Sequence, residues 1–573
     1  MSTEHRTPAD SRRAASVLLL RDGVGEEKGV EVLMLRRAER DGDQRSGAAV
    51  FPGGVLDPRD REAHALCVGS DDATFSARLS LPEGGLDYAV AALRETFEEV
   101  GLLLVDGAFD VAALQGWREE LQQGKAGIAP FLQAHGLKLD LRGLVYCGHW
   151  LTPPGVPKRF DTRFFVALAP AGQTAVADEG EAQELMWLTA RAALEPARGL
   201  KLLPVTVRTL QDLSRYATAA EAMAAYAAQT DIPLMMPRRA VGPKGPRVVL
   251  PDEYAWSEIG RLDPDGRADI HCDIQPGRAV RLSNRVLRIT APNPGVMTGP
   301  GTNTYLLSDT QGQGWTAIDP GPESEAHLQT LLALLGTLPG RLERILVTHT
   351  HRDHSPGARA LSAATGAPVW GQVAAHAMWQ DELFAPVHQP QHGERMAIGA
   401  DTTLRVIHTP GHASNHLCFL LEEEKLLFTG DQVMQGSTVV INPPDGDMQT
   451  YLQALRGLQQ EDLEWLAPGH GFLVAKPQAV LAALIAHRLK REAKVRAALS
   501  PQFQTLEELV LKAYDDVSPA LHGVAQRSLL AHLLKLQADG EAEAEAEAEG
   551  QAPKPAAAEP ASPGRWRSLP LGG

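Results

Sequence analysis

His349-Thr350-His351-Arg352-Asp353-His354 leaves the apolar run Arg344-Ile345-Leu346-Val347-Thr348 at its end, so four potential metal ligands follow one predicted strand. His349 and His351 can face one metal while Asp353 and His354 turn toward a second. The arrangement recurs downstream: His412 ends His408-Thr409-Pro410-Gly411-His412, Asp431 ends Leu427-Phe428-Thr429-Gly430-Asp431, and His470 ends Leu466-Ala467-Pro468-Gly469-His470. Strands packed in one sandwich can bring their ends to a common edge, where polar loops line a cleft without entering the core. Imidazoles and carboxylates with no thiolate among them suit Zn²⁺, Mn²⁺ or Fe²⁺ at an open catalytic site better than a closed structural zinc, and Asp431 is placed to bridge two ions. A lone loop histidine is ordinarily a paired surface group; this ordered set is not explained that way.

On these motifs residues 285–475 resemble the metallo-β-lactamase superfamily. Thr302-Asn303-Thr304-Tyr305 and Asn442-Pro443-Pro444-Asp445-Gly446-Asp447-Met448 are similar to the lactamase-like branch that includes single-strand endoribonucleases and polyketide thioesterases. The resemblance implies an αββα sandwich, with His349, His351 and His412 on one metal, Asp353, His354 and His470 on the other, and Asp431 between them. Two Zn²⁺, or Mn²⁺ or Fe²⁺ in their place, would activate water for attack on an acyl carbon or a phosphorus, with Asp353 orienting that water or taking its proton.

A second signature lies far upstream. Arg94-Glu95-Thr96-Phe97-Glu98-Glu99-Val100-Gly101-Leu102, with Phe51-Pro52-Gly53-Gly54 before it, resembles an interrupted Nudix box. On a helix predicted over 87–100, Glu95, Glu98 and Glu99 share one face, where their repulsion calls for cations. Oxygen ligands of this kind suit Mg²⁺ or Mn²⁺ shared with a diphosphate. Arg94, four residues before Glu98, can orient a carboxylate. Residues 58–85 read as an insertion in the box, and such boxes resemble the Nudix branch that cleaves coenzyme A and acyl-coenzyme A. The stretches Trp150-Leu151-Thr152-Pro153-Pro154 and Arg159-Phe160-Asp161-Thr162-Arg163-Phe164-Phe165 add to that resemblance. Arg159 and Arg163 can clamp phosphates or simply occupy a strand's solvent edge. A later acid, Glu179, Glu181 or Glu184, completes the site, and the sequence does not choose among them.

The 573 residues exceed one ordinary core, 44% of them are hydrophobic, and the net charge is −16. That balance fits a metabolic enzyme and counts against broad nucleic-acid binding. Four scattered cysteines fit a reducing compartment, and the absence of a long apolar run predicts a cytoplasmic protein with no membrane partner. The expected fold class is α/β multidomain. It comprises an arm over 1–13, a Nudix α/β/α sandwich over 14–232, a Pro/Gly-rich connector over 233–275, the lactamase-like sandwich over 276–476, a small helical winged-helix-like appendage over 477–540 and a disordered tail over 541–573. In the appendage Arg488, Lys490, Arg491, Lys494 and Arg496 suggest phosphate contact or a solvated face.

The expected function is a two-headed hydrolase of small-molecule diphosphate and thioester or ester substrates. One alternative makes the second head a single-strand ribonuclease or RNA-binding module, with the first acting on nucleoside diphosphate derivatives. Another makes one head an inactive scaffold. Oligomeric state is not legible.

Overall fold

In the computed structural model, residues 10–23, 28–38, 46–107, 109, 114–177, 182–377, 380–436, 438–545 and 564–569 are described. Those up to Ala240, with Pro246–Pro251 and Asp265–Ala268, form one unit; Val241–Gly245, Asp252–Pro264 and those from Asp269 onward form the other. Among the described residues no helix is long and apolar enough to cross a membrane.

Alternation along one strand organises the first unit. In Ser11–Asp22, Ala15, Val17 and Leu19 face one core and Leu18 and Leu20 face another, as successive side chains of a strand must. Leu86, Val90, Leu93 and Phe97 of the helix Gly85–Val100 complete the first core. Leu210 and Leu213 of Pro204–Leu213, with Ala222 and Tyr226 of Ala219–Ala227, complete the second. The result is an α/β/α sandwich. Its sheet runs Lys201–Leu202, Ala48–Val50, Val30–Arg37, Ser11–Asp22, Arg159–Leu168, Val145–Leu151, Leu234–Met235, with Ala182–Thr189 paired to Val30–Arg37 and Gly53–Val55 to Ser11–Asp22. Ala15 stands opposite Gly54 on one side and Arg163 on the other. Within the insertion, Pro58–Leu66 forms a 3-10 helix and Asp72–Arg78 an α-helix.

The second unit stacks two six-stranded sheets. One runs Val280–Arg281, Val286–Thr290, Asn303–Ser308, Gly314–Ile318, Arg341–Leu346, Val369–Trp370; the other runs Arg395–Ile398, Thr402–His408, Leu417–Leu421, Leu426–Gly430, Trp465–Pro468, Val474–Ala475. Between them pack Val286, Tyr305, Leu307 and Leu346 against Val406, Phe419, Leu426 and Phe428. The opposite faces are covered by helices: Leu331 of Glu325–Thr337 and Leu361 of Gly357–Thr365 on the first sheet, Tyr451 and Leu455 of Met448–Leu458 on the second. This is the αββα order.

Three expectations need correction. Residues 233–275 are not an irregular connector: they hold the strands Leu234–Met235, Arg238–Gly242 and Gly245–Val249 and the helix Ala255–Leu262, with Pro237, Pro243 and Pro251 falling between these elements. That helix joins the second unit through a buried ion pair, Glu258 accepting from both terminal nitrogens of Arg288 (2.6 and 2.9 Å) and from the Leu473 N–H at 2.8 Å.

The arm and the tail also contribute structure. Ser11, Arg12 and Arg13 already belong to the first strand. Residues 1–9 lie outside the described residues, as do 546–563 and 570–573 of the tail. Ala542–Ala544 and Arg565–Ser568 are strands, the latter central in a three-stranded sheet with Gln504–Thr505, and Trp566 is fully buried with Leu509, Leu533 and Leu536. The strand partners are distant in sequence, so local composition cannot announce the pairing.

The appendage is therefore helical with a small sheet. Its helices are Pro477–Ala498, Leu506–Ala513 and His522–Ala538, the second opened by a Thr505/Glu508 capping box. Its basic face is largely occupied. Arg488 donates to the Val439 carbonyl, Arg491 to Ala513 and to Asp516 at 2.7 Å, Lys494 pairs with Asp515 at 2.6 Å, and Arg496 pairs with Glu541.

Candidate active sites

In the second unit every expected ligand follows a strand end. His349 to His354 come after Arg341–Leu346, His412 after Thr402–His408, Asp431 after Leu426–Gly430 and His470 after Trp465–Pro468. The ligand atoms of His349, His351 and His412 lie within 4.8 Å of one another, as do those of Asp353, His354, Asp431 and His470. Asp431 turns Oδ1 toward His354 and His470 (3.4 and 3.3 Å) and Oδ2 toward His412 (3.7 Å), the orientation of a carboxylate shared between two groups.

Outer partners fix the imidazoles. His412 Nδ1 donates to the Val440 carbonyl (2.8 Å), His354 Nδ1 to Asp319 (2.9 Å) and His470 Nδ1 to the Gly301 carbonyl (3.2 Å). Thr348 gives its hydroxyl proton to Asp319, so its oxygen accepts from His349 Nδ1 at 3.0 Å. In its neutral form each ring would thereby present an Nε2 lone pair inward. His349 Nε2 and His412 Nε2 both stand 3.0 Å from His351 Nδ1, an approach of nitrogens that a cation would satisfy. His354 Nε2, His470 Nε2 and Asp431 Oδ1 are likewise buried without a hydrogen-bond partner. The residues present fit a pair of divalent ions.

The electrostatics divide along the same line. Burial, then neighbouring imidazoles, hold His349 well below the ordinary histidine range and His351 at about 3. Burial opposes protonation of His354 and His470 too, but the Asp353 and Asp431 carboxylates prevail: His354 is held well above its usual value and His470 at about 9. Burial would raise Asp431; His470 and His354 instead hold it well below the carboxylate range. Asp353 is the most open of its group, its side chain 28% exposed, and Thr302 Oγ1 donates to it at 3.4 Å. The 442–448 stretch contributes Asp445, which accepts from the Ser414 N–H (3.0 Å) and from Gln380 Nε2 (2.9 Å), fastening the loop beyond His412.

In the first unit, the insertion does not separate the halves of the box in space. The Gly53 N–H donates to Glu99 Oε2 at 2.8 Å, and a Cβ on Gly54 would come within 2.3 Å of the Glu95 carboxyl carbon, so a larger residue there would displace that carboxylate. Arg94 is the hub. Nη1 donates to Glu95 (2.8 Å) and Glu98 (3.1 Å), Nε and Nη2 to the two oxygens of Asp60 (2.8 and 3.2 Å), and Nη2 also to the Val55 carbonyl (3.0 Å). Burial, reinforced by Glu98, lifts Glu95 to about 7 although Arg94 opposes it. The three glutamates supply oxygen donors for a divalent cation, but among the described residues they do not form a convergent ligand group like those of the second unit.

Other sequence candidates are placed differently. Arg163 is 3% exposed and faces neither solvent nor an open phosphate site: Nη1 donates to Tyr146 Oη (2.8 Å) and to His149 Nδ1 (2.7 Å), and His149 Nε2 meets Asp161 at 2.6 Å. Arg159 donates to Asp10 (2.7 Å) and to the Thr152 carbonyl (3.0 Å). Glu184 is exposed on a strand opposite Arg36, while Glu179 and Glu181 lie outside the described residues. Sequence reading missed Asp60, buried inside the insertion, and Asp319, whose place just after the strand Gly314–Ile318 repeats the strand-end signal of the ligands.

Comparison with known proteins follows this division. Residues 297–470 match the model of the metallo-β-lactamase superfamily, 70–202 that of the NUDT19 Nudix domain and 505–551 that of the β-lactamase associated winged helix domain. The lactamase-like protein vrtG of Penicillium aethiopicum is 31% identical over 262 residues, covering 44% of this chain and 78% of that protein. An atrochrysone carboxyl ACP thioesterase of Aspergillus chevalieri is 31% identical over 307 residues, covering 50% of this chain and 89% of its own. A solved Nudix hydrolase from Alicyclobacillus acidocaldarius is 30% identical, covering 38% of this chain and 97% of that one, with a TM-score of 0.32. The chain belongs to the metallo-β-lactamase superfamily and, with a Nudix domain of the NUDT19 type ahead of its lactamase and winged-helix domains, is a hydrolase.

Proposed function

We propose that the protein is a two-headed hydrolase whose C-terminal head cleaves thioesters of pantetheine-type carriers, coenzyme A among them, and whose Nudix head cleaves the diphosphate of coenzyme A derivatives. The observation that carries the first half is the Asp431 carboxylate, its two oxygens turned to two separate groups of inward lone pairs. Two divalent ions held by His349, His351 and His412, and by Asp353, His354 and His470, with Asp431 shared, would supply water activated at neutral pH and a polarised carbonyl; Zn²⁺ suits the donors, with Mn²⁺ or Fe²⁺ as substitutes. Asp353, open to solvent on one side, is positioned to orient the attacking water and accept its proton. Thr302 holds one oxygen of that carboxylate and leaves the other for this task. The thioesterase named among the relatives supports an acyl carbon as the target.

In the Nudix head, Glu95, Glu98 and Glu99 would hold Mg²⁺ or Mn²⁺ against the diphosphate, while Arg94 sets the carboxylates. The two heads then share one substrate chemistry, a thioester at one end of the molecule and a diphosphate toward the other. A ribonuclease reading of the second head would draw on the basic helix, and Arg488, Arg491, Lys494 and Arg496 are occupied by partners within the unit.

The test is hydrolysis of acetyl- and longer acyl-coenzyme A with products resolved by mass, beside His351→Ala and Glu98→Ala. Thioester cleavage lost only in the first variant and diphosphate cleavage lost only in the second are the expected results. Turnover of neither bond would discard the reading.

A further inference from the structure

The ligand loops contain one more buried histidine than the two ligand groups use. His416 is 0% exposed, with its ring centroid 5.0 Å from that of His349 and 6.1 Å from that of His412. It belongs to neither convergent group. Its Nε2 instead accepts the backbone N–H of Asp431 at 3.2 Å, and its Nδ1 lies 2.9 Å from Thr409 Oγ1. Since Nε2 accepts, the neutral ring carries its proton on Nδ1 and donates it to Thr409.

The peptide so held has little freedom. Gly430 has φ +46°, and a Cβ there would meet Thr348 Oγ1 at 2.6 Å and His416 Nε2 at 2.8 Å. Asp431 therefore enters the site through a gap that admits only a glycine before it, and its amide is held by an imidazole. Displacing that amide would swing both carboxylate oxygens, which face different ligand groups at 3.3–3.7 Å.

We infer that His416 is a positioning residue for the shared carboxylate, fixing Asp431 through its backbone and not through a metal. The inference rests on the reading of Asp431 as a bridge. A merely space-filling histidine would be replaceable by an apolar side chain of similar size. A positioning histidine requires an acceptor at Nε2 and an anchor at Nδ1.

The experiment measures bound Zn²⁺ per chain and Zn²⁺ affinity by competition with a chelator, in the full-length protein, with melting temperature and diphosphate hydrolysis as folding controls. Wild type should hold two ions in the C-terminal site. His416→Leu, which keeps bulk and removes the acceptor, should weaken the weaker ion by roughly 10–100-fold. His416→Gln, whose amide oxygen can accept the Asp431 N–H, should recover most of that loss. Thr409→Val removes only the Nδ1 anchor and should cost less, serving also if His416→Leu does not fold. Two ions bound at wild-type affinity by His416→Leu, or by Thr409→Val when the leucine variant is unfolded, would overturn the inference while leaving the bridge intact. A wild type holding fewer than two ions would overturn the bridge reading and the inference with it.

Discussion

The two candidate sites solve the same problem, holding divalent cations, from opposite structural starting points. In the second unit, seven candidate ligand side chains come from four strand-end loops, and a separate partner for most imidazoles orients them toward one another. In the first, three carboxylates ride on one helix, and a protein cation, Arg94, stands between two of them. One site has its charge geometry fixed by outer hydrogen bonds on a rigid sandwich. The other is held by a guanidinium that is itself gripped by Asp60 of the insertion. Losing a ligand should therefore damage chemistry in the second unit, whereas losing the hub should damage the fold of the first.

The largest expected effect is chemical. His351→Ala removes the nitrogen on which His349 and His412 converge, and hydrolysis by the C-terminal head should fall by at least about a thousandfold, since several kcal/mol of charge stabilisation depend on the ion. Diphosphate hydrolysis should stay within about twofold. Equal loss from both heads would break the contrast. Next comes Arg94→Ala, which leaves Asp60, 1% exposed, as a buried carboxylate without its bidentate partner. That should cost about 3–5 kcal/mol, read by denaturant unfolding of the Nudix unit, and Arg94→Lys should rescue little because one ammonium cannot serve five acceptor oxygens. A change below about 1 kcal/mol would show that the hub is not structural.

How much of this was legible follows the same division. The clustering of His349, His351, Asp353, His354, His412, Asp431 and His470 could be read because strand ends announce themselves as apolar runs, and the order of runs and polar residues survives folding. Glu95, Glu98 and Glu99 could be placed on one helical face by spacing, but spacing could not show that Arg94 would be shared with Asp60. That contact is 34 positions away in the sequence. Arg163 illustrates the limit: the sequence offers it a phosphate or a solvent edge, yet Tyr146 and His149 on the neighbouring strand Val145–Leu151 take it into the interior. Nothing local in the 541–573 tail marks Trp566, because the sheet it enters is assembled from 504–505 and 542–544.

A smaller effect concerns acid. His327 on the helix Glu325–Thr337 is buried, its Nε2 donating to Thr304 Oγ1 at 2.8 Å while Nδ1 has no partner, and burial holds it at about 4. The unfolded chain protonates this imidazole near its usual 6.5 and the folded chain only near 4. Stability is thus full above about pH 6.5 and is lost as pH falls toward 4, by about 3 kcal/mol in all. His327→Gln keeps a donor for Thr304 and should flatten that part of the curve, read as the difference from wild type in unfolding free energy between pH 7 and pH 4.5. A difference independent of pH would mean that His327 is not held neutral. The Nudix hub titrates in the opposite sense: Glu95, lifted to about 7, favours the folded state less as pH rises through that value, while Arg94 keeps its charge throughout.

The smallest expected effect separates a structural cation from a substrate contact. Arg159 is paired with Asp10, whose side chain is 63% exposed, and with the Thr152 carbonyl. An ion pair whose carboxylate is so open to water adds little to stability, so the pair itself should contribute little to any change in the stability of the Nudix unit on Arg159→Ala. If the guanidinium stays with these partners during turnover, KM for the diphosphate substrate should change less than about twofold, because a surface pair contributes nothing that differs between free and bound enzyme. If instead it leaves Asp10 for a phosphate, the loss of a charge-assisted bidentate contact of about 1.5–3 kcal/mol would raise KM roughly tenfold or more. Asp10→Ala then decides direction: by freeing the guanidinium it should lower KM only in the second case. The hub and the edge of one sheet would in that event divide the work, Arg94 ordering the carboxylates and Arg159 meeting the substrate.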